Sequence, residues 1–211
     1  MFTDRKDAGQ QLASALETYA RGTGIVLAIP RGGVEVGYYV ARRLKLPFSM
    51  AVVRKLPFPD NPEAGFGAIA EDGSVYIQEG MISTIPTETI NHIIRRQQQE
   101  IRRRIEVLRD GRPLPELAGR TVFLVDDGIA MGSTLRAAIA LCRNRGAKRI
   151  IAAAPVAGPA AVRQLSDIAD QVVALDVPTH FRAVAQAYRH WYDVSDDEVR
   201  QILNHSFDRP D

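Results

Sequence analysis

Four short runs dominated by apolar residues punctuate the chain: GIVLAIP (24–30), TVFLVDD (121–127), KRIIAAAPV (148–156) and QVVALDVP (171–178). None is long enough for a helix and none alternates with polar residues, so each reads as a strand buried on both faces. The text between them has a helical period. Apolar residues recur at Ala8, Leu12, Ala15, Leu16 and Tyr19, and again at Ile90, Ile93, Ile94, Ile101, Ile105 and Leu108 before Gly111 stops the pattern. Helical patterns also follow RGG at 31–33 and cover 133–146 and 159–169. Strands alternating with helices predict an α/β fold, a mostly parallel central sheet flanked by helices.

Two further strands are expected, FSMAVVRKL (48–56) with its charges at the carboxyl end, and a short one in SVYIQ (74–78). Between them, Pro57 to Gly73 is crowded with Pro, Gly and Asn and reads as a loop, of a length that often serves as a lid. With 211 residues and 45% hydrophobic content the chain suits one domain with a small appended subdomain.

Composition narrows the function. The formal net charge is only +2, so neither nucleic acid nor a membrane surface is demanded as a partner, while a small anionic ligand is permitted. The RRQQQEIRRR cluster, with Arg102 and Glu106 one helical turn apart, reads as a solvated helix face. Cys142 stands alone, which excludes an internal disulfide and a Cys-rich metal site and leaves it a small buried apolar role. His180, His190 and His205 lack metal-ligand spacing. MFTDRKDAG has no apolar core of a signal segment and no later run approaches the length of a membrane span, so a reducing cytoplasm is the expected setting.

In a parallel sheet, ligands bind beyond the carboxyl ends of the strands. Three charged or glycine-bearing turns fall at such ends: Arg31-Gly32-Gly33, Arg54-Lys55, and Asp126 to Thr134. The last reads as a phosphate cradle. Gly128 and Gly132 allow close approach, and Ser133 and Thr134 open a helix whose free N–H groups favour an anion. Asp126 and Asp127 would then meet what lies one bond from the phosphate. If that is a sugar, two carboxylates accept from vicinal hydroxyls, directly or through a metal-bound water, and stabilise positive charge developing on the ring.

VFLVDDGIAMGSTLRAAI resembles the 5-phosphoribosyl-1-pyrophosphate (PRPP) motif of the type I phosphoribosyltransferases, and DRKDAGQQLA, AIPRGG, VVRKL, NPEAGFGAIAEDG and FRAVAQAYRHWYDVSDDEV resemble successive landmarks of a bacterial subgroup with no assigned substrate. The resemblance covers almost the whole chain. It implies transfer of the 5-phosphoribosyl group of PRPP to a nitrogenous base or similar nucleophile, release of pyrophosphate, Mg2+ bound with PRPP, and a homodimer. By position it makes Asp126 and Asp127 the ribose contacts and, directly or through water, the metal contacts. Gly128, Ile129, Ala130, Met131, Gly132, Ser133 and Thr134 become the 5-phosphate site, and Arg31, Gly32 and Gly33 the pyrophosphate loop. Arg54 and Lys55 would neutralise the leaving pyrophosphate. The segment at about 57–73 would close over the site, with Glu63 and Asn61 as its polar contacts. A hood built from about 1–20 and 177–211 would hold the acceptor near Val177 and Phe181.

The chain departs from the family pattern at Met131, where a Thr is usual, at Ala185 for a usual Gly, and at His190-Trp191 for an acidic-aromatic pair. Two other functions remain open at this point: a non-catalytic PRPP- or nucleotide-binding regulator, and an NAD-linked oxidoreductase. The second rests only on GFGAIA (65–70), which matches G-x-G-x-x-A with no strand expected before it and no helix after it. Phe181, Tyr188 and Trp191 recur at spacings that suit one helix face, for which core packing is the default.

Overall fold

The computed structural model describes residues 1–207. Five parallel strands form the central sheet in the order β2-β1-β6-β7-β8: β1 (Gly24–Ala28), β2 (Phe48–Met50), β6 (Thr121–Val125), β7 (Arg149–Val156) and β8 (Gln171–Asp176). All five residues of β1 are buried, as a strand covered on both faces requires. Its side chains alternate between two cores. Val26 and Ala28, with Phe123 and Val125 of β6, pack under α1 (Arg5–Leu16), α2 (Gly32–Leu44) and α3 (Thr87–Arg109). Ile25 and Leu27, with Val122 and Leu124, pack under α4 (Ser133–Asn144) and α5 (Pro159–Ser166).

The chain leaves β1 for β2 on one side, whereas β6, β7 and β8 extend the sheet on the other. The crevice between the carboxyl ends of β1 and β6 is therefore the switch point at which open α/β sheets bind ligands.

Two expectations are corrected. The strand expected over 48–56 is two strands: β2 ends at Met50 and β3 (Val53–Pro57) leaves the central sheet. At the break Glu71 accepts from Val52 N (2.9 Å) and forms a buried pair with Arg109, which also donates to Met50 O (3.0 Å). The carbonyl and amide exposed by the break are thus satisfied. The loop expected over 57–73 is mainly a hairpin. GFGAIA is strand β4 (Gly65–Ala70), antiparallel to β3 and to β5 (Val75–Ile77), and only 58–64 forms the tip. Its small residues allow close packing. A Cβ on Gly67 would lie 2.1 Å from Tyr76 O, and one on Gly65 2.4 Å from Lys55 Cγ. The dinucleotide-type match therefore lies inside a strand, with no turn into a helix.

On α3, Glu100 takes the arginines, pairing with Arg103 and Arg104 at 2.8 and 3.1 Å. These bonds hold its carboxyl down at about 2. Arg95, Arg96, Arg102 and Arg103 are exposed, whereas Gln97 is buried.

The segment from 177 to 195 is not the helix that its aromatic spacing suggested. A 3-10 turn covers Val184–Ala187, and residues 187–190 run beside 2–3: Phe2 N donates to Ala187 O (2.7 Å) and Arg189 N to Phe2 O (2.9 Å). A last helix, α6 (Asp196–Phe207), packs on α3 and α2, and a reciprocal Ser195–Glu198 capping box opens it. The hood expected from 177 to 211 is described as far as Phe207, and 208–211 lie outside the described residues. No described helix is long and apolar enough to cross a membrane.

Candidate active site

Two loops meet at the switch point, and glycine is what lets them touch. After β1, Ile29 N donates to Val125 O (2.8 Å), the Pro30–Arg31 peptide is cis, and Gly32 and Gly33 open α2. A Cβ on Gly32 would stand 1.7 Å from Asp127 Oδ2. One on Gly33 would stand 2.8 Å from Val125 O and 2.9 Å from Asp126 Cα. Either side chain would push the RGG turn off the two acids.

After β6 the chain is fastened along its length. Asp126 N donates to Ala153 O (3.1 Å), Ile129 N to Val156 O (2.9 Å), and Gly158 N to Ile129 O (2.8 Å). Gly128 lies under Val184, whose Cγ1 would be 2.4 Å from a Cβ there. Gly132 adopts φ +76°, the left-handed conformation that admits glycine without strain, and turns the chain into α4. The first turn of α4 points N–H groups without intrahelical partners, and the positive end of its dipole, into the loop. A cleft of about 260 Å³ results, lined by Lys55, Glu63, Gly65, Gly67, Asp126 and residues 128–135. Met131 is 53% exposed at its edge and offers no hydroxyl.

The two acids face different ways. Asp126 lines the cleft and accepts from Asp127 N (2.9 Å). Asp127 Oδ2 instead accepts from Arg5 Nε (2.9 Å), and its backbone oxygen accepts from Tyr188 Oη (2.5 Å). Burial, and then the charge of Asp127, push the Asp126 carboxyl well above the usual carboxylate range. Burial also raises Asp127, against the lowering effect of Arg5. Burial raises the Tyr188 phenol, which remains a donor.

The remaining residues singled out from sequence divide. Successive side chains of a strand point to opposite faces, so β3 separates Lys55 from Arg54. Lys55 lines the cleft and its Nζ donates to Glu63 O across the hairpin, while Asn61 Oδ1 accepts from Glu63 N (3.2 Å) and shapes the tip. Arg54 turns to α3 and donates to Gln97 Oε1 (3.2 Å). Burial and then Arg104 lower its pKa. Arg31 is half-exposed, 3.6 Å from Asp196. A second cavity of about 260 Å³ is lined by Val156, Asp176, His180, Phe181 and Gln186 among others. Phe181 belongs to it. Val177 does not line it and is 42% exposed.

A sequence model of the phosphoribosyl transferase domain matches residues 5–189, a span that contains every loop just described. This chain belongs to the phosphoribosyl transferase family. A Mycobacterium tuberculosis protein named "Putative phosphoribosyl transferase" is 40% identical over 206 residues, 97% of this chain and 46% of that protein. The chain thus spans about half the length of the curated relatives it matches. A Thermus thermophilus protein of known crystal structure is 39% identical with a TM-score of 0.82, covering 97% of this chain and 98% of the other. An Aquifex aeolicus structure, 12% identical with a TM-score of 0.50 and covering 82% and 74% of the two chains, shares the fold.

Within this phosphoribosyl transferase domain, no three His, Cys, Asp or Glu side chains of the described residues converge as a metal cage. Asp126 and Asp127 nevertheless supply two carboxylates with one guanidinium beside them. Carboxylate oxygens are the donor type that Mg2+ takes. Sequence reasoning missed Arg5, Gln97 and Tyr188. Arg5 had one usable signal: it is a cation in the first turn of a helix, where the dipole disfavours it unless an acid answers it.

Proposed function

We propose that this phosphoribosyl transferase domain moves the 5-phosphoribosyl group of PRPP to a ring nitrogen of a heteroaromatic base. The C1–oxygen bond to pyrophosphate breaks and a C1–nitrogen bond forms. The reading is carried by one observation: Asp126 lines one cleft with the Gly128–Thr134 loop, and the RGG turn packs against the acid pair through Gly32 and Gly33.

The cradle's backbone N–H groups and the Ser133 and Thr134 hydroxyls would hold the 5-phosphate. Asp126 would accept from a ribose hydroxyl at the cleft wall, with Asp127 beside it. Their negative charge would favour a transition state in which the ribose ring turns cationic. Lys55 would offset the charge gathering on pyrophosphate, and the 58–64 tip, moving over the cleft, would exclude water that competes for C1. Mg2+, held by Asp126 and Asp127 with PRPP, would supply charge neutralisation of the diphosphate. Phe181, in the second cavity, would lie against the acceptor ring.

A pyrophosphate-release assay with PRPP, Mg2+ and a panel of purine and pyrimidine bases tests the proposal, with Asp127→Ala and Arg54→Ala as controls. Turnover with one base, lost in Asp127→Ala, supports it. Tight PRPP binding without turnover on any base would favour a second reading, a regulator that binds PRPP. The observation behind that reading is Met131, which leaves the cradle one hydroxyl short.

A further inference from the structure

Arg5 is buried to 3% exposure at the start of α1, yet it has no place in the pyrophosphate loop, the cradle or the hairpin. A buried guanidinium near a helix N-terminus is doubly unfavourable, through desolvation and through the helix dipole, unless its surroundings are built for it. They are. Its Nε donates to Asp127 Oδ2 at 2.9 Å and its Nη1 to Tyr192 O at 2.9 Å. Its Cζ lies 4.0 Å from the Trp191 ring centroid and 5.4 Å from that of Tyr192. The Tyr188 ring lies tilted against that of Trp191, centroids 5.3 Å apart, while its hydroxyl donates to Asp127 O. Two hood elements therefore converge on a single residue, Asp127, Arg5 at its carboxylate and Tyr188 at its backbone oxygen.

The position of that carboxylate is set tightly. Oδ2 lies where a side chain on Gly32 would begin, and Arg5 Nε is 3.0 Å from the same point. Asp127 is thus wedged between the RGG turn and Arg5, with one oxygen bonded to the guanidinium and its carboxyl against that of Asp126, which lines the cleft. A carboxylate held at one oxygen presents the second in a fixed direction, at no further entropic cost when a hydroxyl arrives.

We propose that Arg5 is a positioning residue. It orients the Asp127 carboxylate and, through its stack on Trp191, joins that orientation to the seating of the hood. This rests on the phosphoribosyl reading of the site, since it is the ribose that the acid pair would meet. The guanidinium itself touches neither ligand nor reacting atoms. A lysine could keep the charge at this position but has no planar fork with which to bond Asp127 and Tyr192 O together while facing the indole.

A double-mutant cycle tests the inference, with Arg5→Gln, Asp127→Asn and the double variant each titrated with Mg-PRPP by calorimetry. Trp191 fluorescence is recorded in parallel, because Trp191 is the single tryptophan of the chain. Arg5→Gln is expected to weaken PRPP binding about tenfold in the wild-type background and by less than about twofold in the Asp127→Asn background. Arg5→Lys should recover only part of the loss. Equal effects of Arg5→Gln in both backgrounds would overturn the proposal, because a residue that merely packs the hood acts independently of Asp127.

The fluorescence separates this inference from the reading beneath it. Wild-type protein that binds no PRPP would remove the ribose reading, and the pairing would then be judged on Trp191 alone. Arg5→Gln and Asp127→Asn should shift its emission non-additively, and additive shifts overturn the coupling.

Discussion

Gly32→Ala places the first atom of a side chain 1.7 Å from Asp127 Oδ2, a separation no relaxation of a hydrogen bond can absorb. The carboxylate must swing away from Arg5, breaking a pair whose side chains are 3% and 14% exposed. Removing one partner of such a pair costs about 3–5 kcal/mol. Arg5 keeps its bond to Tyr192 O and its stack on Trp191, so the lower end, about 3 kcal/mol, applies. For a domain of this size that corresponds to a fall in Tm of about 6–12 °C. Gly80→Ala is the matched control: a Cβ there meets nothing within 4 Å, and its effect should stay within about 0.5 kcal/mol. Thermal unfolding by circular dichroism reads both. A Gly32→Ala protein within about 2 °C of wild type would refute the claim that the RGG turn is packed against the acid.

Asp126→Asn should stabilise the protein at neutral pH. Burial raises the Asp126 pKa above its unfolded value, so the acid's contribution to stability is fully present below about 3.9 and is lost as pH rises through the folded pKa. The Tm difference between the Asp126→Asn variant and wild type should therefore widen from acid to neutral pH, while PRPP affinity falls. Met131→Thr restores a hydroxyl to the cradle, and its PRPP affinity should rise by about two- to tenfold, the worth of one hydrogen bond. Lys55→Ala should weaken PRPP binding more than Arg54→Ala, because Lys55 lines the cleft and Arg54 is turned to Gln97. Equal losses in the two variants would show that the hairpin twists on binding to bring Arg54 round.

Much of the sheet was legible because β1, β6 and β7 are buried on both faces and so are written as unbroken apolar runs, whereas the edge strand β8, expected to be buried on both faces, is only half-buried because no strand lies beyond it. Legibility failed at GFGAIA for the opposite reason. β4 approaches Lys55 of β3 and Tyr76 of β5 so closely at Gly65 and Gly67 that no side chain fits there, and glycines beside a Pro- and Asn-rich stretch look like a loop. The break between β2 and β3 was hidden because Met50 to Val53 remain apolar throughout, and what divides them is a buried ion pair contributed by Glu71 and Arg109. The loop at 128–134 was readable as a local motif, with its glycines, hydroxyls and helix start contiguous. Asp127 was readable as an acid in that motif, but its partner Arg5 is 122 residues away and no local pattern joins them. The separation of Lys55 from Arg54 follows from strand alternation, and was obscured because the charges were read as a cluster at a strand end. The start of α6 carried a visible signal, the SDDE capping box at 195–198, with Val199, Ile202 and Leu203 behind it at helical spacing.

The central claim is that the Asp126–Thr134 crevice takes a phosphoribosyl ligand, and calorimetric titration of Mg-PRPP into the wild-type protein and into Asp126→Ala tests it most directly. Saturable one-site binding to the wild type and an affinity at least about tenfold lower for the variant are expected. Absence of binding to folded wild-type protein, or equal affinity for the two proteins, would contradict it.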